Sequence, residues 1–381
     1  MSEGVGQEFA FDEDLLELRR MVREFCQEVS PEDVVRTTME TESGWDPVLW
    51  KRLGSELGVL GLAVPESLGG DGVGLVASAI VLEELGAALV CGPVVGTLAL
   101  ALPALSVLPD HETAGELMAD AVVGERVLTL VAPLAGGTFD ADALSVSATS
   151  SGSAGAGWTL HGVADHVPDG AIADTLLVVA RTSDGAALFL VDAAAMGLTA
   201  TPLTTMDLTR RQARLELDDV PARLLADELA TPGICEHAAQ VGAVLLAAAQ
   251  VGGAQAMLDR TVEHARTRLQ FGQAIGAFQA VKHKCADMLM AVEQARSLAY
   301  HGAWALQDGT DDPALAAALA RAVVSETYFR VSATAMQLHG GSGFTWELPI
   351  HLHLKRAVSD GIALGSSEDA VERVARLVLD A

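Results

Sequence analysis

Cysteine is scarce and scattered. Cys26, Cys91, Cys235 and Cys285 are the only four in 381 residues, none lies in a CxxC pair, and no His/Cys cluster has metal-ligand spacing. A disulfide-stapled secreted fold and a zinc-type site are therefore not expected, and a reducing cytoplasm is the expected setting. Positive charge is also thin. The 24 lysines and arginines face 51 acidic residues, a net charge of −27. A chain this acidic is not drawn to nucleic acid or an anionic membrane by bulk electrostatics, and a phosphate-bearing ligand needs a local cluster of donors. The first fourteen residues hold five acidic side chains and no basic one, the reverse of a secretory signal. No GxGxxG follows a strand, so a Rossmann-type nicotinamide site is not supported.

Long apolar runs are few. Residues 85–108 carry no charge and have the length of a membrane span. Pro93 and Pro103, with Gly92 and Gly96, would interrupt such a helix twice, so two buried helices with a bend between them are expected and no membrane.

What is present is apolar mass with changing texture. Half the residues are hydrophobic, enough for a large core, and the length suggests two or three domains. Over residues 1–125 the pattern is helical. Leu15, Leu18, Val22 and Phe25 share a face, and Trp50, Leu53, Leu57 and Leu60 repeat at three- and four-residue spacing. Residues 126–228 read as short strands: 127–131, 158–163, 176–180, 187–191 and 213–217. The small-residue stretch 149–157 reads as a surface turn between them. Residues 229–381 read as four helices with an apolar stripe, over 234–267, 278–307, 313–338 and 368–379. The predicted fold is mixed α/β, mainly α: an N-terminal helical domain, a small β-barrel or sandwich, and a C-terminal four-helix bundle.

Two corners stand out. Arg268-Leu269-Gln270-Phe271-Gly272 ends one helix and leads to Phe278-Gln279. Arg268 is a donor fork suited to phosphate, Phe271 and Phe278 offer flat apolar surface, and Gly272 permits a helix stop. Gln337-Leu338-His339-Gly340-Gly341 follows another helix, and its glycines let backbone N–H groups approach a pyrophosphate. Each corner alone also has the look of an ordinary helix end.

Further motifs decide between these readings. Trp50-x-x-Leu53-x-x-Glu56-Leu57-Gly58, Gly61-Leu62-x-Val64-Pro65-Glu66-x-x-Gly69-Gly70 and Glu83-Glu84-Leu85-Gly86 resemble the N-terminal signature of acyl-CoA dehydrogenases. The Arg268 and Gln337 corners, the latter followed by Glu347-x-Pro349, resemble their two C-terminal signatures. The resemblance implies FAD at a subunit interface, oxidation of acyl-CoA to 2-enoyl-CoA, and electrons passed to an electron-transfer flavoprotein. In that family one subunit's β domain grips the flavin ring, and a neighbour's arginine and Gln-x-x-Gly-Gly corner hold the ADP end. The resemblance assigns Arg268, Phe271, Phe278, Gln279, Gln337, Gly340 and Gly341 to that ADP side, with Ser366 and Glu368 beside the cofactor.

The chain departs from the family on the other side. Where the family has Thr-Glu-Pro-x-Ala-Gly-Ser-Asp, it reads Val131-Ala132-Pro133-Leu134-Ala135-Gly136-Gly137-Thr138. The flavin-facing aromatic and hydroxyl positions read His166-Val167-Pro168, and proline has neither N–H nor hydroxyl to donate. The two positions that carry the catalytic carboxylate in family members hold Leu364 and Gly242, and neither can move a proton. Glu236 is six residues from Gly242, about 9 Å along a helix, too far to substitute. No catalytic residue is assigned.

With one half-site kept and the other lost, the chain resembles the non-catalytic subunits of α2β2 acyl-CoA dehydrogenases known from bacterial sterol side-chain degradation. It is expected to lend its ADP-side residues to FAD seated in a catalytic partner, which binds the acyl-CoA. Two alternatives stay open: a self-sufficient homotetramer with another base, for which Glu347, His351 and His353 are the candidates, and a purely structural assembly subunit.

Overall fold

Asp12 accepts the Leu15 N–H and opens the first helix, α1 (Glu13–Val29), whose Val22, Phe25 and Cys26 face inward. The structure is a computed structural model, and it describes residues 11–150, 157–309 and 311–379. Two short helices come next, α2 (Glu32–Met39) and α3 (Pro47–Lys51), the latter running into a π-helical turn over Arg52–Glu56. Nearly every residue of α4 (Leu75–Ala87) is buried, because α1 covers one side and the longest helix of the chain covers another. Two of its buried residues are acidic and are paired: Glu83 with Arg19 at 3.0 Å and Glu84 with Arg23 at 2.8 Å.

The uncharged 85–108 stretch spans the end of α4, a connection, and one continuous helical piece, a π-helical Val94–Ala101 passing into α5 (Leu102–Ser106). The bend lies before Pro93's helix, as expected. The second expected interruption does not occur: the helix runs on through Pro103, next to the point where it changes from π-helical to α-helical. Helix α6 (His111–Val122), capped by Asp110, completes the N-terminal part.

Nine strands follow among the described residues: β1 (Leu128–Val131), β2 (Leu134–Ala135), β3 (Thr138–Phe139), β4 (Val146–Ser150), β5 (Trp158–Pro168), β6 (Thr175–Arg181), β7 (Ala186–Asp192), β8 (Leu198–Pro202) and β9 (Gln212–Ala226). Seven of them form one sheet in the order β1-β6-β4-β5-β9-β7, with β8 on β9. Because β6 also pairs with β7, the sheet closes on itself around a core of Leu160, Leu176, Val178, Phe189, Leu215 and Leu217. The alternation in β9 puts Ala213, Leu215 and Leu217 inside. Strands β2 and β3 form a separate small hairpin. Of the expected turn at 149–157, residues 149–150 belong to β4 and most of the rest lies outside the described residues.

The C-terminal part is helical. Its axis is α7 (Thr231–Thr267), which packs against α4, α8 (Gln279–Asp308) and α9 (Pro313–His339). A one-turn α10 (Gly341–Phe344), then α11 (Ile350–Ile362) and α12 (Ser367–Leu379) follow, and the last two lie on α9. Helix α11 is absent from the sequence-based expectation, because His351, His353, Arg356 and Asp360 are buried beside Ile350, Leu352 and Ala357 and break up its apolar stripe. Helix α7 is long and apolar enough to cross a membrane, yet 89% of its most apolar window is inside the fold. One core runs through the N-terminal helices, α7 and the edge of the β domain.

Candidate functional site

The conspicuous corners meet at the junction of α7, α8 and α9. Helix α7 stops at Thr267 because Arg268 turns extended (φ −71°, ψ 119°) while its N–H still bonds the His264 carbonyl at 2.8 Å. The chain then makes a tight hairpin, β10 (Leu269–Gln270) with β11 (Gln273–Ala274). Its turn residues Phe271 and Gly272 both have positive φ, 53° and 79°, the two-residue geometry that favours glycine. Gly272 is therefore a hairpin residue and not the expected helix stop. At the tip Phe271 is 92% exposed and meets Phe278 edge-on at 6.2 Å. Phe278 caps α8, and Gln279 is its exposed first residue.

Helix α9 ends at His339, and Gly340 swings the chain away at φ 60°. A Cβ on Gly340 or Gly341 would meet nothing within 4 Å, so the corner's backbone is open, with Gln337 exposed beside it. The two corners are joined by His264 and His339, whose rings stack at 4.2 Å. Among the described residues, Arg266, Arg268, Lys282 and Lys284 have no carboxylate or hydrogen-bonding partner for their side chains, although acidic residues outnumber basic ones by more than two to one. Unneutralised cations, an open glycine corner and two edge-on aromatic rings suit an anionic ligand that carries a flat ring system.

Ser366 is placed elsewhere and is occupied. Its N–H and hydroxyl both bond the Asp369 carboxylate, at 2.7 and 2.8 Å, and its oxygen accepts the Asp369 N–H. This reciprocal cap starts α12. Glu368 is exposed on the same turn.

The positions 242 and 364 come together. A Cβ built on Gly242 would lie 3.2 Å from Leu364 Cδ1, 2.9 Å from Leu100 Cδ2 and 3.0 Å from the Ala99 carbonyl, so a longer side chain at 242 has no room. Leu364 has φ 59°, rare for leucine, and its loop is clamped from both sides. The Gly136 N–H donates to the Leu364 carbonyl at 2.9 Å. Buried Arg321 donates to the carbonyls of Ala363 and Gly365, the second at 2.8 Å, and to Ser325 at 2.7 Å. Burial pulls its guanidinium down to about 10. Nothing in the sequence marks Arg321: it is one arginine in an alanine-rich helix. Glu236 is spent as well, accepting from Thr138 (2.8 Å) and the Phe139 N–H (3.1 Å) and pairing with Arg373 (3.0 Å).

Near Pro168 a cavity of about 210 Å³ is lined by Val131, Ala132, Pro133, His166, Val167 and Pro168. The Pro168 carbonyl is taken by the Thr129 hydroxyl at 2.7 Å. The neighbouring Asp169 is fully buried and accepts the Gly96 N–H at 2.9 Å. Burial pushes its carboxyl up to about 7, against that bond and the Arg210 and Arg356 cations. Also along α7, Val241, Leu245 and His237 line an apolar cavity of about 300 Å³ with Leu60, Leu98 and Leu102. Burial holds His237 below its ordinary value, so it is neutral there at pH 7. A larger cleft of about 730 Å³ between α1, α4 and α7 is walled by the paired charges of Glu83 and Glu84 and joins neither region. Of the candidate bases, the two histidines are packed. His353 is fully buried against the Tyr328 hydroxyl at 2.9 Å, and His351 lies against Trp346. Glu347 is exposed.

Comparison with known proteins decides the family. Residues 12–110 match the acyl-CoA dehydrogenase N-terminal domain and residues 234–379 the acyl-CoA dehydrogenase C-terminal domain. The acyl-CoA dehydrogenase IpdE2 of Mycobacterium tuberculosis is 34% identical over 359 residues, 94% of this chain and 95% of that protein. The chain belongs to the acyl-CoA dehydrogenase family. Among solved structures, a variant of the Tcur3481-Tcur3483 steroid ACAD is similar at 33% identity and a TM-score of 0.86, over 97% of this chain and 98% of that one. A chain of the ChsE4-ChsE5 complex from Mycobacterium tuberculosis is similar at 30% identity and a TM-score of 0.88, over 98% and 99%. FAD is the family's cofactor. The junction has the donor chemistry for its diphosphate and adenine. The other region offers few donors: Pro168 has no N–H, Gly137 has no hydroxyl, and the Thr138 hydroxyl donates to Glu236.

Proposed function

We propose that this chain is the cofactor-lending, non-catalytic subunit of a heteromeric FAD-dependent acyl-CoA dehydrogenase. The observation that carries the reading is the contrast between unpartnered Arg268 beside the open Gly340-Gly341 corner and the contact between Leu364 and Gly242 at the base positions. In this reading Arg268 holds the diphosphate of FAD seated in a partner subunit. Phe271 and Phe278 border its adenosine end, and Gln279, Gln337 and the Gly340-Gly341 backbone complete the grip. The partner supplies the flavin-ring pocket, the carboxylate and the acyl-CoA site. Bound FAD supplies the hydride acceptor of the family's reaction, oxidation of acyl-CoA to 2-enoyl-CoA. This chain's residues bind and orient the cofactor and move no proton. An electron-transfer flavoprotein is the proposed electron acceptor of the complex, and the cytoplasm its location. The steroid ACAD and the ChsE4-ChsE5 complex among the similar structures favour a heteromer that acts on sterol-derived acyl-CoA.

The partner is a second family member with glutamate at the position of Leu364 and an intact ring motif, sought first in the neighbouring gene. Purified alone, this chain is expected to be colourless and inactive. Co-purified with that partner, it gains flavin absorbance and acyl-CoA oxidation. Stoichiometric FAD and turnover in the isolated chain would sink the proposal. The self-sufficient alternative draws on the cavity of about 300 Å³ beside α7, whose mostly apolar lining suits an acyl chain. The same isolated-chain assay decides against it or for it.

A further inference from the structure

The contact that joins the two corners is itself titratable. His264 lies one turn before Arg268, and His339 is the last residue of α9. Their rings stack at 4.2 Å with planes 24° apart. His339 is buried, and its Nδ1 sits 2.8 Å from the Ala335 carbonyl, which can only accept, so the neutral ring carries its proton on Nδ1. The charges that bear on the pair are the two rings themselves, His264 on α7 and His339 on α9, and the cations Arg260 and Arg268 on α7 and at its end. From α9 and α10 the contacts are neutral: the Ser342 hydroxyl bonds the His339 carbonyl, and Gly343 packs under its Cβ. Neutral rings gain from stacking and burial. A proton on either places a cation in a half-buried slot already flanked by arginines, and among the described residues no carboxylate is paired with either ring.

We propose that the His264–His339 stack is a positioning pair that sets the gap between Arg268 and the Gln337–Gly341 corner, and that it releases this gap when one ring is protonated. The proposal rests on the cofactor-lending reading for its purpose and on the stack alone for its mechanism. Burial first, then the neighbouring ring and Arg268, holds His264 below the ordinary histidine range. Burial and Arg260 do the same for His339, against its bond to Ala335. A histidine depressed in the folded state gives stability that is complete above about pH 6.5 and is lost as pH falls through the folded value. The half-site is thus set at neutral pH and loosened in acid.

Hydrogen exchange on the full-length chain tests this without any cofactor. The wild type is compared with the double variant His264→Phe/His339→Phe at about pH 7.5 and about pH 5.5, on either side of the ordinary histidine pKa. Phenylalanine keeps two stacked rings and removes the titration. After correction for intrinsic exchange, peptides covering 262–272 and 336–344 should lose protection several-fold in the wild type at the lower pH and keep it in the variant. An equal loss in both proteins, or none in the wild type, overturns the proposal. Should the variant fold poorly, the wild type decides alone. The midpoint of the exchange loss must coincide with the imidazole titration of His264 or His339 followed by NMR, and a different midpoint overturns it. In the complex, FAD retention should fall on the same acid limb and stay level in the variant. A complex that never holds FAD, in a protein whose exchange still switches with the histidines, counts against the cofactor-lending reading and for the latch.

Discussion

Two regions of the C-terminal half carry family motifs, and they are built in opposite ways. At the junction of α7, α8 and α9, polar groups are left over: Arg268 points at no carboxylate, the Gly340-Gly341 backbone faces open space, and Phe271 stands almost fully exposed on a hairpin tip. Around Leu364 the polar groups are spent within the chain: the Gly136 N–H on Leu364, Arg321 on the flanking carbonyls, the Thr138 hydroxyl on Glu236, Ser366 on Asp369. A surface with unspent donors needs something brought to it, whereas half-buried Leu364 against Gly242 offers only apolar contact. On the proposed reading the first region holds a cofactor and the second has lost the means to use one.

The contrast breaks most visibly at Gly242. Gly242→Glu places a buried carboxylate where even a Cβ lies 2.9 Å from Leu100. Overpacking plus an unpaired charge should cost about 3 kcal/mol or more, seen as a large drop in the denaturant midpoint. Leu364→Glu should cost about 2 kcal/mol by loss of core contacts, and neither variant should oxidise acyl-CoA in the isolated chain. A stable, active variant would show that the pocket still accepts a base.

Next in size is a pH effect at Asp169. Its folded value is raised to about 7, so the stability it gives is complete below the ordinary carboxylate range and fades as pH rises through 7. Asp169→Asn keeps an acceptor for the Gly96 N–H and should flatten the fall in Tm between about pH 5 and pH 8. An unchanged slope would mean that Arg210 and Arg356 already keep the carboxylate ionised.

The smallest effect is expected at Glu236. Glu236→Ala releases the β2–β3 hairpin and Arg373 and should cost about 1–2 kcal/mol in chemical denaturation, with the flavin content of the complex unchanged. Loss of flavin there would draw the Leu364 region into cofactor binding and erase the distinction.

Much of this was legible in sequence because it depends on residue identity. Proline at 168 cannot donate, leucine at 364 cannot ionise, and period-two strands such as 213–217 announce their inward face. The motif spacing carries the family and the helix–β–helix plan. What stayed hidden depends on partners far apart in the chain. Helix α11 escapes a sequence reading because its buried face includes charges that are satisfied by residues such as Thr209, Arg210 and Asp207 of the β domain. The hairpin at Phe271-Gly272 resembles a helix stop in sequence because glycine serves both. The His264–His339 stack and the Arg321 clamp join α7 to α9 and α9 to the Leu364 loop, and no local pattern records either.

The division between holding and using the cofactor is tested most directly by removing one guanidinium from the assembled complex. Arg268→Ala in this chain, with the catalytic partner unaltered, deletes a charge-assisted contact worth about 1.5–3 kcal/mol. The complex should still assemble but bind FAD about 10- to 100-fold more weakly, read by flavin absorbance after equilibrium dialysis. A complex that keeps its full flavin complement and affinity would contradict the cofactor-lending role and leave this chain a structural subunit.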